Sequence, residues 1–523
     1  MRQEPILVIG ATGYVGGRLV PRLLEVGHRV RVMGRSVAKL QARPWAPHPG
    51  LEVVEGDVLD EDSLRRAIAG CWAAFYLVHS MNNPKVDFEE ADRRAALNMI
   101  TASEDSSLER IVYLGGLVRE CDQPLSKHLR SRCEVAEILR AGPIPLTYFR
   151  AAMILGSGSA SFEILRYLTD RLPIIPAPKW VGTPVQPISI RNVLHYLTAC
   201  LDQPATAGET FDIGGPEVLT YRRLIDTYAE VAGLRKRKIF PVGFISPHLS
   251  ALLLHMITPV PSSIALPLTE GLVNEATCVD DRIRSILPQE LLSCRETIRR
   301  ALERVQQQRV EGCWTDAGAL LPPEWAYCGD ETYSGGAIMR CGYSIRLKAE
   351  PEAIWRRIVR IGGETGWYYG GSLWRLRGWL DKLFGGTSLS RGRRHPYELY
   401  VGDALDFWRV LDLSPPYRLL LLSEMKLPGE ALLEFKITPL GNGETELQQL
   451  SRFLPKGFLG LIYWYSLYGA HQWLFKGMLS TIAEAVGKPV LSGPRRFTPK
   501  LQLSCSYDPA APRPVSEKFS AHD

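Results

Sequence analysis

The residues whose types and spacing bear most directly on chemistry form a glycine-rich run near the N-terminus. Gly10, Gly13 and Gly16 recur every third position in GATGYVGG, directly after the apolar run Ile6–Ile9. Glycine permits a tight turn and a close approach of backbone to pyrophosphate, and a helix N-terminus attracts phosphates. The pattern predicts a dinucleotide site formed by Gly10, Ala11, Thr12, Gly13, Tyr14, Val15 and Gly16.

Two later positions indicate how a nucleotide would be read. Arg35 follows the second apolar run, at the place where an NAD site carries an acidic residue. A guanidinium favours a 2′-phosphate, so we expect NADP as cofactor, with NAD as the less favoured alternative. Asp57 and Val58 follow the third run, where a carboxylate and the next amide would contact adenine. The alternative for Asp57 is a turn residue that caps the next helix.

The elements that must position these residues alternate in type along the first 212 residues. Short β-branched runs, each followed by an amphipathic stretch, are typical of βαβ units on a parallel sheet. The six runs predicted as strands are 6–9, 29–33, 51–55, 74–78, 110–114 and 146–150. Their order predicts an α/β Rossmann-like, doubly wound parallel sheet that binds ligands at the carboxyl ends of its strands.

The same segments resemble the atypical, NmrA-like branch of the short-chain dehydrogenase/reductase superfamily. The resemblance runs through GATGYVGGRLVPRLLEVGHRVRVMGR, EGDVLD, RAAMILGSGSASFE, VQPISIRNV and GETFDIGGPEVLTYRRL. It implies that the glycine loop holds the pyrophosphate, that Arg35 holds the 2′-phosphate and that Asp57 faces the adenine. It also implies that His79 and Ser80 lie along the ribose and nicotinamide.

The proton-donating pair of this superfamily is replaced in the present chain. The superfamily pairs a Tyr with a Lys four residues later, and no Tyr here has a Lys at that spacing. The corresponding positions hold His128 and Arg132, and Gly115 and Gly116 stand where a Ser is expected. An imidazole with an ordinary pKa of about 6.5 suits proton donation at neutral pH, and Arg132 would hold ribose hydroxyls or polarise an oxyanion. The alternative is that both residues only bind the cofactor.

Candidate substrate residues follow the sixth predicted strand. Arg150, Ser157 and Ser159 lie in RAAMILGSGS, at the sheet edge where ligands bind in such folds. The alternative is that they are ordinary loop and helix-cap residues.

The second half of the chain resembles an uncharacterised family of the START-like, helix-grip superfamily. The resemblance implies an α+β domain in which an antiparallel sheet wraps a C-terminal helix around an apolar cavity. We therefore predict an NAD(P)-binding domain over 1–310, a linker over 311–341, a helix-grip domain over 342–487 and a loose tail over 488–523. The aromatic residues that would line its pocket, or form plain core, are Trp367, Tyr368, Tyr369, Trp374, Trp379 and Trp408.

Composition limits the class of protein further. The 523 residues are 46% hydrophobic and 23% charged, which is typical of globular chains, and a formal charge of +6 is too small to indicate nucleic-acid binding. Ten cysteines without a CxxC pair predict reduced thiols, no zinc and a cytoplasmic location.

The uncharged stretch 457–475 is predicted as a buried helix rather than a membrane span. Residues 239–273 hold five prolines, which predicts a surface-lying or substrate-covering segment and leaves peripheral membrane contact open.

Two functions fit these observations. The leading one is an NADP-binding oxidoreductase acting on a small apolar carbonyl or quinone-like molecule. The alternative is a non-catalytic NADPH-sensing regulator or assembly protein, as some NmrA-like members and a respiratory-complex accessory subunit of similar fold are. A sugar-nucleotide epimerase fits less well, because those enzymes retain the Tyr and Lys. The oligomeric state is not indicated.

Overall fold

The computed structural model describes residues 2–79, 88–118, 125–177, 179–242, 249–250, 254, 258, 262–306, 338–383, 386 and 393–497. These residues divide into two compact units. The first takes in those within 1–320, 356–413 and 424–426, and the second takes in those within 321–355, 414–423 and 427–523. The boundaries expected from the sequence stay predictions, since the linker falls largely outside the described residues.

Seven parallel strands form the main sheet of the described part of the first unit. Its strands are β1 Ile6–Ile9, β2 Val30–Gly34, β3 Leu51–Glu55, β4 Ala73–Tyr76, β5 Arg110–Gly116, β6 Leu146–Ala151 and β11 Thr210–Ile213. They lie in the order β11-β6-β5-β4-β1-β2-β3. The direction of winding reverses between β1 and β4, so a crevice opens there at the carboxyl ends of the strands. The predicted Rossmann-like sheet is confirmed.

The apolar strand residues are divided between two cores, one on each face of the sheet. Ile6 and Val8 of β1 belong to one buried cluster, while Leu7 and Ile9 belong to another. Successive side chains of a strand point to opposite faces, so a strand buried on both sides must be apolar throughout. The helices that cover the two faces are α1 Gly16–Glu25, α2 Val37–Gln41, α3 Glu61–Ile68, α4 Phe88–Ser103, α5 Lys127–Ala141 and α7 Ile190–Ala199.

A smaller apolar region of the first unit follows the main sheet. It contains three strand pairs, β7 Ile154–Leu155 with β10 Ile188–Ser189, β8 Ile174–Ala177 with β13 Lys238–Pro241, and β9 Pro184–Val185 with β12 Leu219–Thr220. Its helices are α6 Ala160–Arg171, α8 Tyr221–Val231, α9 Ser262–Gly271, α10 Ile283–Ile286 and α11 Cys294–Gln306. A third buried cluster lies among them and includes Phe162, Leu224 and Ile298.

Antiparallel strands and one long helix make up the described part of the second unit. The strands β14 Met339–Leu347, β17 Arg418–Ser423, β18 Gly429–Gly441, β19 Glu444–Pro455 and β20 Val490–Arg496 lie in the order β17-β18-β19-β14-β20. The helix α14 Gly457–Val486 packs against β14 and β19. The tail prediction was wrong for residues 490–496, because β20 pairs with β14 in the sheet. Residues 498–523 lie outside the described part of the chain.

Three further elements come between β14 and β17 in the chain. They are α12 Pro351–Ile358, α13 Gly371–Leu383 and the hairpin of β15 Ala404–Leu405 with β16 Trp408–Ser414. Here Trp367, Trp374 and Trp408 are buried around Phe407. These indoles therefore form plain core, which is one of the two alternatives expected from the sequence.

The long uncharged stretch 457–475 lies within α14, as expected, but only part of it is buried. Phe458, Leu459 and Tyr465 are 75%, 71% and 66% exposed, while Trp464 is buried. The prediction of a buried helix is therefore wrong for one face of this segment. Among the helices that the structure describes, none is long and apolar enough to cross a bilayer.

Candidate active site at the carboxyl edge of the parallel sheet

The glycine-rich loop joins β1 to α1 in a conformation that side chains would prevent. Gly10 has a φ of 90°, and a Cβ on it would lie 2.6 Å from the carbonyl oxygen of Leu77. A Cβ on Gly16 would overlap the carbonyl oxygen of Gly10. The Gly13 amide donates to the same Gly10 oxygen at 2.9 Å and closes the turn. The backbone is therefore as exposed to a ligand as the sequence predicts.

The N-terminus of α1 suits a bound anion. Val15 at its N-cap makes no side-chain hydrogen bond, and no acidic residue lies in the first turn. An uncapped helix end presents backbone amides and a partial positive charge, so this cradle fits the pyrophosphate of a dinucleotide. Arg43 braces the loop by donating from Nη2 to the carbonyl oxygen of Thr12 at 3.3 Å. No sequence motif marks Arg43, which follows α2.

The two residues expected to read the nucleotide lie at the ends of neighbouring strands. Arg35 is exposed and directly follows β2. Asp57 follows β3, and its Oδ1 accepts from the Leu59 amide at 3.1 Å. Asp57 therefore has the turn role of its alternative, but it does not cap the next helix, because the N-cap of α3 is Asp60. The Val58 carbonyl accepts from Asn98 Nδ2 at 3.0 Å, which ties this loop to α4.

A cavity of about 650 Å³ opens beside the glycine loop. Tyr14 and Val15 of that loop line one part of it, together with His79, His128 and Arg132. Most of the remaining wall is apolar and comes from α6, β8, α8 and the region of α9; examples are Ile164, Leu168, Ile175, Leu224, Leu254 and Leu272. Part of the proline-rich segment 239–273 thus lines the cavity. A segment that covers the substrate, one of the two expectations for these residues, would have to lie there.

A hydrogen-bonded chain of three side chains lies at the polar end of the cavity. Nδ1 of His79 is 2.7 Å from Oδ2 of Asp92, and Nε2 of His79 is 3.0 Å from Nδ1 of His128. Ser131 donates its hydroxyl to the same Asp92 oxygen at 3.0 Å. Asp92 is buried on α4, so its carboxylate needs these donors.

Asp92 belongs to no recognised motif, although the sequence contains a signal for it. Asp92 occupies the buried face of α4 together with Ala91, Ala95, Ala96 and Met99. An acidic residue on the apolar face of a helix requires a partner, and such a residue marks a candidate site.

The surroundings of the two histidines keep them neutral. Burial and the charge of Arg132 lower the pKa of His79 to about 4, against the opposing effect of the Asp92 hydrogen bond. Burial, His79 and Arg132 hold the pKa of His128 well below its usual value. The ordinary imidazole pKa expected for His128 was therefore wrong, because the sequence does not show how deeply the ring is enclosed.

The hydrogen bonds then fix which ring nitrogen carries each proton. The Asp92 carboxylate accepts, so Nδ1 of neutral His79 donates and its Nε2 has a lone pair. That lone pair needs a donor, which is Nδ1–H of His128. Nε2 of His128 is consequently the nitrogen without a proton, and in this state it accepts hydrogen bonds and does not donate them.

Arg132 and the two glycines explain how the site lacks the superfamily's Tyr, Lys and Ser. Nη1 of Arg132 donates to the Leu114 carbonyl at 3.1 Å, which holds the guanidinium against β5. A Cβ on Gly115 would lie 2.7 Å from the Tyr148 hydroxyl oxygen, and one on Gly116 would lie 2.8 Å from Cδ2 of Leu129. Neighbouring side chains therefore fill the space that a Ser would need.

The three candidate substrate residues do not come together. Arg150 pairs with the buried carboxylate of Asp212 at 2.7 Å and is not part of the large cavity's wall. Ser157 accepts from Arg18 through its carbonyl oxygen and lines a separate small cavity of about 130 Å³. Ser159 does line the large cavity, but its hydroxyl caps α6 by accepting from the Phe162 amide. Ser80 lies outside the described residues.

Metal and cysteine chemistry contribute little in the described part of the chain. No group of His, Cys, Asp and Glu there could hold a metal ion. Cys133 is disulfide-bonded, so the expectation of reduced thiols was wrong for this residue. The free thiols are those of Cys71, Cys200, Cys278, Cys294 and Cys341.

The chain is similar to several known proteins. Residues 2–296 match the NmrA-like family, and residues 336–478 match DUF2867, described as a protein of unknown function. NADH dehydrogenase (ubiquinone) 1 alpha subcomplex subunit 9, mitochondrial, from Arabidopsis thaliana is 25% identical over 42% of this chain, which spans 56% of that subunit. The (4-alkanoyl-5-oxo-2,5-dihydrofuran-3-yl)methyl phosphate reductase of Streptomyces griseus is 26% identical over 44% of this chain and 74% of its own length. A solved structure of the Citrobacter sp. triphenylmethane reductase complexed with NADP(H) is 21% identical, covers 57% of this chain and 99% of its own, and has a TM-score of 0.47.

The doubly wound sheet with its glycine cradle defines a Rossmann-like protein of the NAD(P)-binding class. Within that class, the chain belongs to the NmrA-like family, whose family model matches more than half of it.

Proposed function

We propose that the protein is an NADP-dependent oxidoreductase that interconverts the hydroxyl and carbonyl forms of a small apolar or quinone-like molecule. One observation carries the proposal. A single cavity is lined both by the glycine loop, through Tyr14 and Val15, and by the polar end that contains His79, His128 and Arg132. A ligand in this cavity would meet the nucleotide loop, a base and a cation at once.

The residues of the cradle fit a dinucleotide. Gly10 and Gly16 leave the room that a pyrophosphate needs, and the uncapped end of α1 attracts it. Arg35 would pair with the 2′-phosphate and Asp57 would lie toward the adenine. When bound, NADP(H) would supply or accept the hydride.

His128 is the acid–base residue of the proposal. In the neutral state its Nε2 carries no proton, so it accepts the proton of a substrate hydroxyl as that hydroxyl becomes a carbonyl. Asp92 and His79 act as positioning residues, because they hold the Nδ1–H of His128 in place. Arg132 would stabilise negative charge on the substrate oxygen, since a guanidinium keeps its charge when buried.

The wall of the cavity favours an apolar substrate. Its lining is mainly aliphatic, and an unpaired polar group placed there would lose its hydration without compensation. A volume of about 650 Å³ is within the range of ordinary small-molecule sites.

The test compares binding with turnover. NADPH and NADH binding are measured by titration, and oxidation or reduction of the nicotinamide is followed with panels of apolar alcohols, aldehydes and quinones. The proposal expects turnover with at least one panel and a loss of about a hundredfold or more in His128→Ala. The matched control is His195→Ala, which alters an exposed histidine on α7.

The same experiment decides the alternative function. A non-catalytic NADPH-sensing regulator or assembly protein would bind NADPH tightly and turn over no substrate. The depressed pKa of His128 favours this alternative over an enzyme that reduces carbonyl groups. Carbonyl reduction requires a proton donor, and the neutral ring has no proton to donate from Nε2. Turnover of alcohols that depends on His128 would exclude it.

The second half of the chain enters the proposal as a domain for apolar ligands. Its antiparallel strands and α14 are the parts that a START-like helix-grip domain requires. We propose that this domain holds or delivers the apolar molecule, in the cytoplasm or at a membrane surface. Extraction of lipids from the purified protein, followed by mass spectrometry, tests this role.

A further inference from the structure

The helix α13 presents apolar side chains to solvent along its whole length. Leu373, Leu376, Trp379, Leu380 and Leu383 are 40%, 53%, 55%, 37% and 50% exposed. In most surface helices such residues form the buried face, and the exposed face is polar. The orientation of α13 is the reverse of this pattern.

The five residues form one continuous strip. At about 100° per residue they fall within an arc of about 120° on the helix, and Ser372, in the first turn, is the one polar residue of the helix within that arc. Arg375 and Arg377 each lie about 40° beyond one edge of the arc, so a guanidinium flanks the strip on either side. We call these five residues the α13 strip.

The opposite face of α13 is firmly anchored. Trp374 is buried and packs at a tilt against Trp367 and Phe407, and its Nε1 donates to the Tyr369 carbonyl at 3.1 Å. Asp381 is 3% exposed, and its Oδ1 accepts from the Lys426 amide at 2.8 Å. The helix therefore cannot turn its leucines inward without breaking these contacts.

We propose that the α13 strip docks in the plane of an anionic lipid bilayer. A helix with leucines and a tryptophan on one side and arginines at the edges places its apolar face among the acyl chains and its cations among the headgroups. Both flanking cations would then meet negative phosphates. None of the five residues belongs to the proline-rich segment 239–273, part of which lines the cavity.

The charges of α13 argue against a second copy of the chain as the occupant. Asp381 is the one acidic residue of the helix, and it is buried. Two strips packed together would bring arginines near arginines with no exposed carboxylate of α13 to compensate. A bilayer that contains anionic lipid supplies negative charge along the whole strip.

The test uses the full-length protein and lipid vesicles in a flotation assay. We expect binding to vesicles of phosphatidylcholine mixed with phosphatidylglycerol, weaker binding to phosphatidylcholine alone, and a decrease with added salt. The double variant L376E/L380E should lose binding by about tenfold or more. Both leucines are exposed, so its thermal unfolding should match that of wild type.

A matched variant tests whether vesicle binding depends on the α13 strip or on any exposed apolar side chain. V218E/L440E introduces the same charges at residues that are 57% and 43% exposed, and it should bind like wild type. Equal binding of L376E/L380E and wild type would overturn the proposal. So would a protein that ignores both vesicles but forms a dimer that L376E/L380E abolishes, since the occupant would then be a second copy.

Discussion

Nε2 of His79 lies 3.0 Å from Nδ1 of His128, and this contact determines the chemistry available at the cavity. Because Asp92 accepts from the other nitrogen of His79, the proton between the two rings belongs to His128. Nε2 of His128 is therefore left without a proton and accepts hydrogen bonds, as the proposed role in proton transfer requires. Asp92 of α4 sets the orientation of the His128 ring through His79, although α4 contains no recognisable motif.

Asp92→Asn should reverse the protonation of the histidine pair. The new amide can donate to Nδ1 of His79, which moves the His79 proton to Nε2 and the His128 proton to Nε2 in turn. Nitrogen NMR of histidine-labelled protein would show both rings change tautomer, with the His195 signals unchanged as an internal control. If both rings keep the wild-type tautomer, the negative charge of Asp92 is not what determines it. Turnover should also fall by about tenfold or more.

The histidine pair should make stability depend on pH in the mildly acidic range. The folded pKa of His79 is about 4 and that of His128 is also held well below its usual value, whereas an unfolded histidine titrates at about 6.5. Between these values the unfolded chain binds more protons, so the free energy of unfolding should decrease as pH falls below about 6.5 and be constant above it. The slope should approach about 1.4 kcal/mol per pH unit for each histidine.

Urea unfolding at a series of pH values measures this effect. His79→Gln should flatten the slope, while His195→Gln should leave it as in wild type. A wild-type stability that is constant from pH 7 to pH 5 would contradict the buried neutral state of both rings.

Arg35→Ala should weaken NADPH binding by about tenfold to a hundredfold and leave NADH binding almost unchanged. A charge-assisted hydrogen bond to a phosphate contributes about 1.5–3 kcal/mol, and NADH lacks that phosphate. Titrations with both nucleotides measure the difference, and Arg94→Ala on the exposed side of α4 is the control. Equal losses for the two nucleotides would refute the assignment of Arg35.

Local patterns predicted the parallel sheet well and predicted the site only in part. The bounds of β1 and β3 agree with the predicted runs at every residue. The strand β1 is buried on both faces and must be apolar throughout, whereas β3 lies at the edge of the sheet and contains Glu52 and Glu55. The glycine cradle also followed from local spacing. The role of Asp92 could not be predicted in this way, since it depends on a contact between α4, α5 and the end of β4.

In the second half of the chain, composition predicted the wrong structure at two places. Residues 490–496 contain Pro, Ser and Arg and are largely exposed, so nothing in their composition indicates the strand that pairs with β14. Trp379 was expected in a pocket or core, yet it lies in the exposed α13 strip. Aromatic content indicates burial on average, but the anchoring of Trp374 and Asp381 decides which side of this helix faces inward.

The apolar wall of the cavity should control substrate affinity without affecting the nucleotide. Ile164 lines the cavity from α6 and is only half-buried, so Ile164→Trp should fill part of the volume with little cost to the core. We expect KM for an apolar substrate, or Kd for an apolar inhibitor, to rise about tenfold or more while Kd for NADPH stays within about twofold. Leu97→Trp, at an exposed position on α4, is the matched control. An equal rise in both constants would mean that the variant disturbs the fold, and unchanged constants would mean that apolar ligands bind elsewhere.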